Sequence, residues 1–136
     1  MNPDYKVVGA IFIREGRLFA ARRGASRYAY VAHKYEFVGG KVEPDETPED
    51  ALRRELREEM ALDATVERPY MTVRHEYPDF SITLHTYLCR MQGEYRLLEH
   101  EECRWLTRDE LRADDWAPAD APIIEALRRD KEVWHK

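Results

Sequence analysis

The stretch at residues 39–62 constrains this chain more than any other, because a glycine pair and an acidic turn lead directly into a charge-rich helix. Thr47 is a good N-cap and Pro48 suits the first helical position. Asp50, three residues after the cap, gives a pattern like a capping box. Together these residues predict a helix from residue 48 to about residue 60.

The charges of this helix are distributed unevenly around its axis. At 100° per residue, Glu55 and Glu59 fall on the arc that carries the apolar side chains and should face the protein, with Glu58 at its edge. The arginines should point away from the protein: Arg53, Arg54 and Arg57. A solvated helix with an Arg54–Glu58 pair is the common alternative. Crowded carboxylates repel, however, and hard divalent ions take carboxylate oxygens as ligands, so the placement favours metal binding.

The same stretch resembles the signature of the Nudix hydrolases. That signature is a glycine, five residues, Glu, seven residues, Arg-Glu, an aliphatic residue, any residue, Glu-Glu, any residue, Gly and an aliphatic residue. The corresponding positions here are Gly40, Glu46, Arg54, Glu55, Leu56, Glu58, Glu59, Ala61 and Leu62. Only Ala61 departs from it, and we expect an alanine there to require a backbone without a positive φ.

Length and composition narrow the class of protein. We expect one domain covering residues 1–136, long enough for a core. The net charge of -5 argues against a nucleic-acid polymer as partner. Two cysteines without metal-ligand spacing, Cys89 and Cys103, are typical of reduced thiols. No apolar run could span a membrane and no N-terminal signal is visible, so we expect a cytoplasmic monomer or homodimer with no membrane partner.

Strand and helix patterns follow one another in a mixed order along the chain. Apolar and β-branched runs predict strands at 5–13, 18–22, 35–38, 64–75, 81–90 and 103–106. Thr107 should cap a short helix, and a last amphipathic helix should run from residue 122 to about 131. This order fits an α/β fold with helices on both sides of a mixed sheet. The resemblance implies, more specifically, the Nudix α/β/α sandwich.

The resemblance also implies roles at a metal site. Glu55, Glu58 and Glu59 would hold Mg²⁺, with Mn²⁺ as a possible substitute, together with the carbonyl of Gly40. Glu99 aligns with a further family carboxylate, although plain surface charge is its alternative and the nearby Glu101 and Glu102 leave the alignment open. Arg54 would orient a carboxylate, and Glu46 would support that arginine and the helix start. Glu55 is the first choice for the general base.

Substrate contacts are expected on both sides of this stretch. Arg23 and Lys41 are candidates for phosphate contacts, with solvated surface as the alternative for Arg23. Phe37 is a candidate stacking face for the base, with core packing as a strong rival. Tyr28 and Tyr30 could also stack on a base, although packing of their loop is the favoured interpretation.

Nearly the whole chain resembles the MutT-type branch of the family, which includes 8-oxo-dGTP diphosphatases and CTP pyrophosphohydrolases. Asp120 lies where MutT proteins have a purine-binding asparagine, and Phe80 lies where some have an arginine. An ionised Asp only accepts hydrogen bonds, and Phe cannot donate to an 8-oxo group. Both departures favour cytidine nucleotides, although Asp120 could instead simply cap the last helix.

The expected activity is therefore Mg²⁺-dependent hydrolysis of a nucleoside triphosphate, most simply CTP or dCTP, to the monophosphate and pyrophosphate. One alternative is an 8-oxo-dGTP diphosphatase that cleanses the nucleotide pool. A second is a non-hydrolytic nucleotide-binding regulator with the same fold, although such proteins commonly lose box glutamates. A third is another phosphoanhydride, such as a nucleotide sugar or a dinucleotide.

Overall fold

The structure is a computed structural model that describes residues 2–24 and 31–135. Tyr28 and Tyr30 lie outside the described residues. Seven strands and two α-helices are present in this part of the chain: β1 (Asp4–Arg14), β2 (Arg17–Arg22), β3 (Tyr35–Glu36), β4 (Gly39–Lys41), α1 (Pro48–Met60), β5 (Asp63–Glu76), β6 (Ser81–Gln92), β7 (Glu102–Thr107) and α2 (Ala121–Arg129). Short 3₁₀ turns follow β7, precede α2 and end the chain. Among the described residues, no helix is long and apolar enough to span a bilayer.

The strands form one mixed sheet with β1 at its centre. The hydrogen-bonded order is β3-β2-β1-β6-β5, with β4 paired to β1 and β7 paired to β2. Strands β1 and β6 run parallel, whereas the other paired strands are antiparallel. Because β1 pairs with β4 over its first half and with β2 over its last residues, the glycines of β4 lie beside the middle of the sheet.

Alternation along β1 divides the apolar side chains between two cores. Ile11 belongs to one core with α2, and Phe12 belongs to the other with α1. The α1 core contains Leu52, Leu56 and Met60, each fully buried. Helices thus cover both faces of a mixed sheet, which confirms the predicted α/β/α sandwich.

Most element boundaries follow the sequence, with three corrections. Helix α1 begins and ends where predicted. The strand predicted at 35–38 is two short strands, because β3 pairs with β2 and β4 pairs with β1. The helix predicted after Thr107 is only a 3₁₀ turn over Arg108–Glu110, and α2 ends at Arg129, before the predicted end.

Ala61 is a further correction at the end of α1. Its φ is 48° and its ψ is 38°, which is the left-handed conformation of a helix C-cap. Its N–H donates to the Arg57 carbonyl over 3.0 Å and so closes the helix. The expectation that an alanine here would require a backbone without a positive φ is therefore wrong. Ala61 thus adopts a left-handed conformation that glycine would adopt without steric cost.

Candidate functional site

A cleft of about 560 Å³ opens between β1, β4, the end of α1 and the turn before α2. Eight of the residues singled out in the sequence line it: Arg23, Phe37, Gly40, Lys41, Glu59, Phe80, Glu99 and Asp120. Glu46, Arg54, Glu55 and Glu58 lie beside the cleft rather than in its lining. Two groups of residues line the cleft. The acidic group contains Glu59 and Glu99, and the aromatic group contains Tyr5, Tyr77 and Phe80, together with Asp120.

Glu59 is the α1 glutamate that reaches into the cleft. The residue is 8% exposed, and its Oε2 is buried without a hydrogen-bond partner. Burial raises its pKa to about 9, and the negative charges of Glu55, Glu36 and Glu99 contribute. A carboxyl group in such surroundings is costly to ionise unless a cation lies beside it.

Glu99 reaches this acidic group because its loop is attached to α1. The N–H of residue 98 donates to the Glu59 carbonyl over 3.0 Å. Glu101 and Glu102 instead form ion pairs with the last arginine of β2. Of these three acids only Glu99 lines the cleft.

Arg54 holds the carboxylates next to the cleft. Its guanidinium donates twice to Glu46, over 2.6 and 2.9 Å, and its Nη1 donates to Glu55 over 2.8 Å and to Glu58 over 3.3 Å. Its Nη2 also donates to the Lys41 carbonyl over 3.0 Å. The prediction that Arg54 points away from the protein is wrong, because its long side chain bends back across the start of α1.

Glu46 and Glu55 both accept hydrogen bonds from Arg54, but their pKa values are shifted in opposite directions. Hydrogen bonds from Arg54 lower the pKa of Glu46 to about 2. Burial has the opposite effect on Glu55, whose pKa is raised although Arg54 opposes the shift. Glu46 therefore stays ionised as a structural partner, whereas Glu55 is the stronger base of the two.

Gly39 and Gly40 are required by close approaches of the backbone. A Cβ on Gly39 would lie 1.9 Å from the Val8 carbonyl oxygen, which no side chain could avoid. A Cβ on Gly40 would lie 2.5 Å from the carboxyl carbon of Glu55. The absence of a side chain at Gly40 thus leaves room for the Glu55 carboxylate directly against the β4 backbone.

The donors at the acidic end fit a hard divalent cation. As the described side chains stand, no group of three or more His, Cys, Asp or Glu could hold a metal ion. A physical reason is that Arg54 already draws Glu55 and Glu58 towards itself. The unpartnered Oε2 of Glu59, the mutual repulsion of the acids and the all-oxygen donor set nevertheless match what Mg²⁺-like ions bind.

Between the two groups of the cleft lies an ionised residue that the sequence analysis missed. Glu36 accepts from Arg23 over 2.9 Å and contacts the His100 ring over 2.8 Å. Burial would raise its pKa, but these two partners outweigh burial and hold the pKa below its usual value. Glu36 therefore holds Arg23 at the cleft and places a fixed negative charge between its ends.

Asp120 lies at the other end, at the N-cap position of α2. Asp120 is thus the N-cap residue of the alternative interpretation, but its side chain makes no capping hydrogen bond. The residue is 6% exposed, and burial, followed by the charge of Glu36, raises its pKa well above the usual value. Burial therefore favours the protonated form of Asp120, which can both donate and accept, unlike the ionised acceptor assumed from the sequence.

Aromatic side chains line the same cleft as this carboxyl group. Phe80 lies 4.9 Å from the Tyr77 ring and 5.9 Å from the Tyr5 ring. The Lys41 ammonium lies 3.9 Å from the centre of the Tyr5 ring. Phe37 is buried against Trp116, with ring centroids 4.9 Å apart, so much of its face is already occupied by core packing.

The cleft residues that were missed from sequence include Glu36, Tyr77 and His100. Glu36 directly precedes Phe37, and His100 follows Glu99, so proximity to predicted site residues was the available signal. Neither the ion pairs of Glu36 nor the contact of Tyr77 with residue 119 has a local pattern, because the partners are far apart in sequence.

Comparison with known proteins gives consistent matches over this region. A model of the NUDIX domain matches residues 4–127. Two Escherichia coli (strain K12) proteins are similar over 123 residues: an 8-oxo-dGTP diphosphatase with 39% identity, covering 90% of this chain and 94% of the relative, and a CTP pyrophosphohydrolase with 38% identity, covering 90% of each. The solution structure of the E. coli ORF135 protein superposes with a TM-score of 0.81 and 36% identity over 97% of this chain and 96% of that one. The matched region contains all seven strands and α1.

Proposed function

The chain belongs to the Nudix hydrolase family, and we propose that it is a Mg²⁺-dependent nucleoside triphosphate pyrophosphohydrolase acting on cytidine nucleotides such as CTP or dCTP. The products are the nucleoside monophosphate and pyrophosphate. Members of this family generally need a divalent metal ion; Mg²⁺ is the ion proposed here, and Mn²⁺ is a substitute. A triphosphate substrate and two free cysteines fit a reducing, cytoplasmic location.

The observation that carries this proposal is the pairing of two chemistries in one cleft. The acidic group around Glu59 suits a cation that neutralises phosphates. The aromatic group around Asp120 offers an apolar wall with one polar side chain, which suits a nucleobase. A cavity of about 560 Å³ is of the size that small-molecule sites commonly have.

The phosphate end of the mechanism uses Glu55, Glu58 and Glu59 of α1, with Glu99 and the Gly40 carbonyl, to hold Mg²⁺. When bound, this ion supplies charge neutralisation and an activated water. Glu55 accepts the proton of the attacking water, since its raised pKa makes it a better base than an ordinary carboxylate.

Basic side chains position the substrate and the acids around the reacting phosphorus. Arg54 fixes the Glu55 carboxylate through a hydrogen bond to one of its oxygens. Glu46 keeps Arg54 in place through the paired hydrogen bonds. Lys41 and Arg23 line the cleft and contact phosphate oxygens of the substrate.

The base end uses the neutral carboxyl of Asp120. Its O–H can donate to cytosine N3 while its carbonyl accepts from the cytosine amino group, which makes two hydrogen bonds to one edge. Phe80 and Tyr77 form an apolar wall for the ring, and Phe37 contributes what its packing leaves exposed.

A second candidate is 8-oxo-dGTP, which the similarity to the E. coli 8-oxo-dGTP diphosphatase favours. Oxidation at C8 places a hydrogen on N7, so the O6–N7 edge also presents an acceptor beside a donor. A neutral Asp120 could bind that edge too. Since the cytosine and 8-oxoguanine edges satisfy the same carboxyl group, the choice between them depends on measured rates.

The test is a screen for pyrophosphate release with Mg²⁺. CTP, dCTP, 5-methyl-dCTP, 8-oxo-dGTP and the ordinary triphosphates are compared by kcat/KM. We expect cytidine nucleotides to have the highest kcat/KM. A higher kcat/KM for 8-oxo-dGTP would change the proposed substrate but not the proposed reaction. No release from any of them would remove the proposed activity on triphosphates.

Substitutions of Glu58 and Asp120 test the roles of the acidic end and the base end in the same assay. Glu58→Gln should lower turnover by at least about a hundredfold, whereas Glu94→Gln, the same change at an exposed glutamate away from the cleft, should leave it unchanged. Asp120→Asn should retain the base preference, because an amide also donates and accepts. Asp120→Ala should lower kcat/KM for the preferred base by about tenfold or more. Near-normal turnover in Glu58→Gln would remove its metal role.

A further inference from the structure

Tyr77 contacts both Phe80 and the segment at residues 117–120 that carries Asp120. It follows β5 and precedes the turn into β6, it is 7% exposed, and it lines the cleft. Its N–H donates to the Phe80 carbonyl over 2.7 Å, which closes the turn between the two strands. The backbone that carries Tyr77 is therefore fixed by the sheet on either side.

The Tyr77 hydroxyl reaches across to the segment before α2. It accepts a hydrogen bond of 3.0 Å from the N–H of Ala119, which is 42 residues away in sequence. Ala119 directly precedes Asp120, and the hydrogen bond is buried. The position of the Asp120 backbone is thus linked to the turn that carries Phe80.

Backbone hydrogen bonds also hold the segment at residues 117–120 in place. Within it, the Asp120 N–H donates to the Ala117 carbonyl over 2.8 Å, and Ala117 N–H donates to the Tyr35 carbonyl over 2.9 Å. The carboxyl group of Asp120 makes no capping bond to α2. Its direction therefore depends on the backbone of the segment, to which Tyr77 contributes a side-chain hydrogen bond from the opposite wall.

The ring of Tyr77 also fixes the apolar side of the same pocket. Its centroid lies 4.9 Å from that of Phe80 and 4.5 Å from that of His75. One residue therefore contacts both groups that face a base: Phe80 through its ring, and the Asp120 segment through its hydroxyl. A displacement of Tyr77 would change the spacing between them.

We propose that Tyr77 is a specificity-determining positioning residue, whose hydroxyl sets the distance between the Asp120 carboxyl and the Phe80 wall and thereby the base that the cleft accepts. This inference rests on the proposed nucleotide hydrolysis. It differs from an ordinary structural role in one respect. Loss of a purely structural hydrogen bond would weaken activity towards every nucleotide alike, whereas loss of this one changes the ratio between bases.

The chain offers a matched pair of variants. Tyr77→Phe keeps the ring and removes the hydroxyl that accepts from Ala119. The control is Tyr70→Phe on β5, the strand that leads to Tyr77. It removes a hydroxyl that donates to Asp130 over 3.0 Å, and Tyr70 does not line the cleft. Both variants lose one tertiary hydrogen bond, so their stabilities can be compared directly.

The measurement is kcat/KM for CTP against UTP, or for 8-oxo-dGTP against dGTP if the wild type separates that pair better. We expect Tyr77→Phe to lower the ratio by about tenfold, mainly through KM of the preferred base, with the ratio of Tyr70→Phe within about twofold of the wild type. An equal loss for both nucleotides in Tyr77→Phe, or an unchanged ratio, would overturn the inference while leaving the proposed function intact. Absence of hydrolysis by the wild type would overturn both.

A second measurement on the wild type does not depend on the variant folding. Amide hydrogen exchange at Ala119 should slow more with a non-hydrolysable analogue of the preferred nucleotide than with that of the poor one. An Ala119 amide whose exchange is the same with both analogues would contradict the role given to Tyr77.

Discussion

Asp120 shows how a single side chain can differ from what its residue type suggests. The sequence predicted an ionised acceptor, but burial, with the charge of Glu36, raises the pKa of this carboxyl well above its usual value and so favours the protonated form. At this position a neutral Asp resembles an Asn more than it resembles a surface Asp. The charge of Asp120 is therefore no longer a reason to disfavour a purine base. The inability of Phe80 to donate to an 8-oxo group remains such a reason.

A pH dependence of stability follows from the same residue. Because the folded-state pKa of Asp120 is raised, its ionisation makes the folded state less stable as pH rises above the ordinary Asp value and through the raised pKa. Asp120→Asn removes that loss. The melting temperature of Asp120→Asn minus that of the wild type should therefore be larger at pH 8 than at pH 5, measured by thermal unfolding in chelator.

Asp45→Asn, at an exposed position, is the control for that comparison. Its difference from the wild type should not change with pH. A constant difference for Asp120→Asn as well would mean that this carboxyl is not held neutral in solution.

Single residues also mark what sequence could and could not predict about the site. The glutamates of α1 were found because helical spacing alone fixes their side of the helix. Arg54 was misplaced because a helical wheel gives the direction of a Cβ, whereas a long side chain can bend back to Glu46. Tyr77 and Glu36 were missed because tertiary folding, not spacing, brings their partners to them.

At the scale of elements, α1 was predicted closely because its start and its apolar stripe are both local signals. Thr47 accepts from the Asp50 N–H over 3.1 Å, as a cap should, while the Asp50 carboxylate pairs with Arg53 instead of completing a capping box. The short strands β3 and β4 could not be separated in advance. Their division depends on which neighbouring strand each one pairs with, and this is set by the sheet.

The end of α1 carries a prediction of its own. Ala61 occupies the left-handed region, where a Cβ costs about 1–2 kcal/mol and glycine has no such penalty. After the greater freedom of glycine in the unfolded chain is subtracted, Ala61→Gly should raise the free energy of unfolding by about 1 kcal/mol. Denaturant unfolding with a constant m value would measure it.

Ala126→Gly within α2 provides the contrast for that substitution. There the same change should destabilise the protein by about 1 kcal/mol, because the position is inside a helix. Destabilisation by both substitutions would show that the left-handed conformation of Ala61 is not under strain.

At the scale of the molecule, the acidic group joins parts of the fold that are distant in sequence. Glu59 on α1 lies close to the negative charges of Glu99 on its loop and of Glu36 on β3. Because the pKa of Glu59 is raised to about 9, ionising it should destabilise the metal-free protein progressively between about pH 4.5 and 9. A bound cation reverses this effect.

Melting temperatures with chelator and with Mg²⁺ test that relation. Adding Mg²⁺ should raise the melting temperature of the wild type, and more so at pH 8 than at pH 6. Glu59→Gln should melt higher than the wild type in chelator and respond less to Mg²⁺, whereas Glu94→Gln should follow the wild type. An equal Mg²⁺ response in Glu59→Gln would place the ion elsewhere.

The central position of β1 has a consequence for how the protein is made. Residues 4 to 12 pair in parallel with residues 81 to 89, so the middle of the sheet closes only after β6 has been synthesised. During translation the first long apolar strand leaves the ribosome well before its partner and remains unpaired in the meantime. Contacts this distant in sequence slow folding and expose newborn chains to aggregation. Binding of nascent chains by a chaperone should therefore be strongest before β6 emerges.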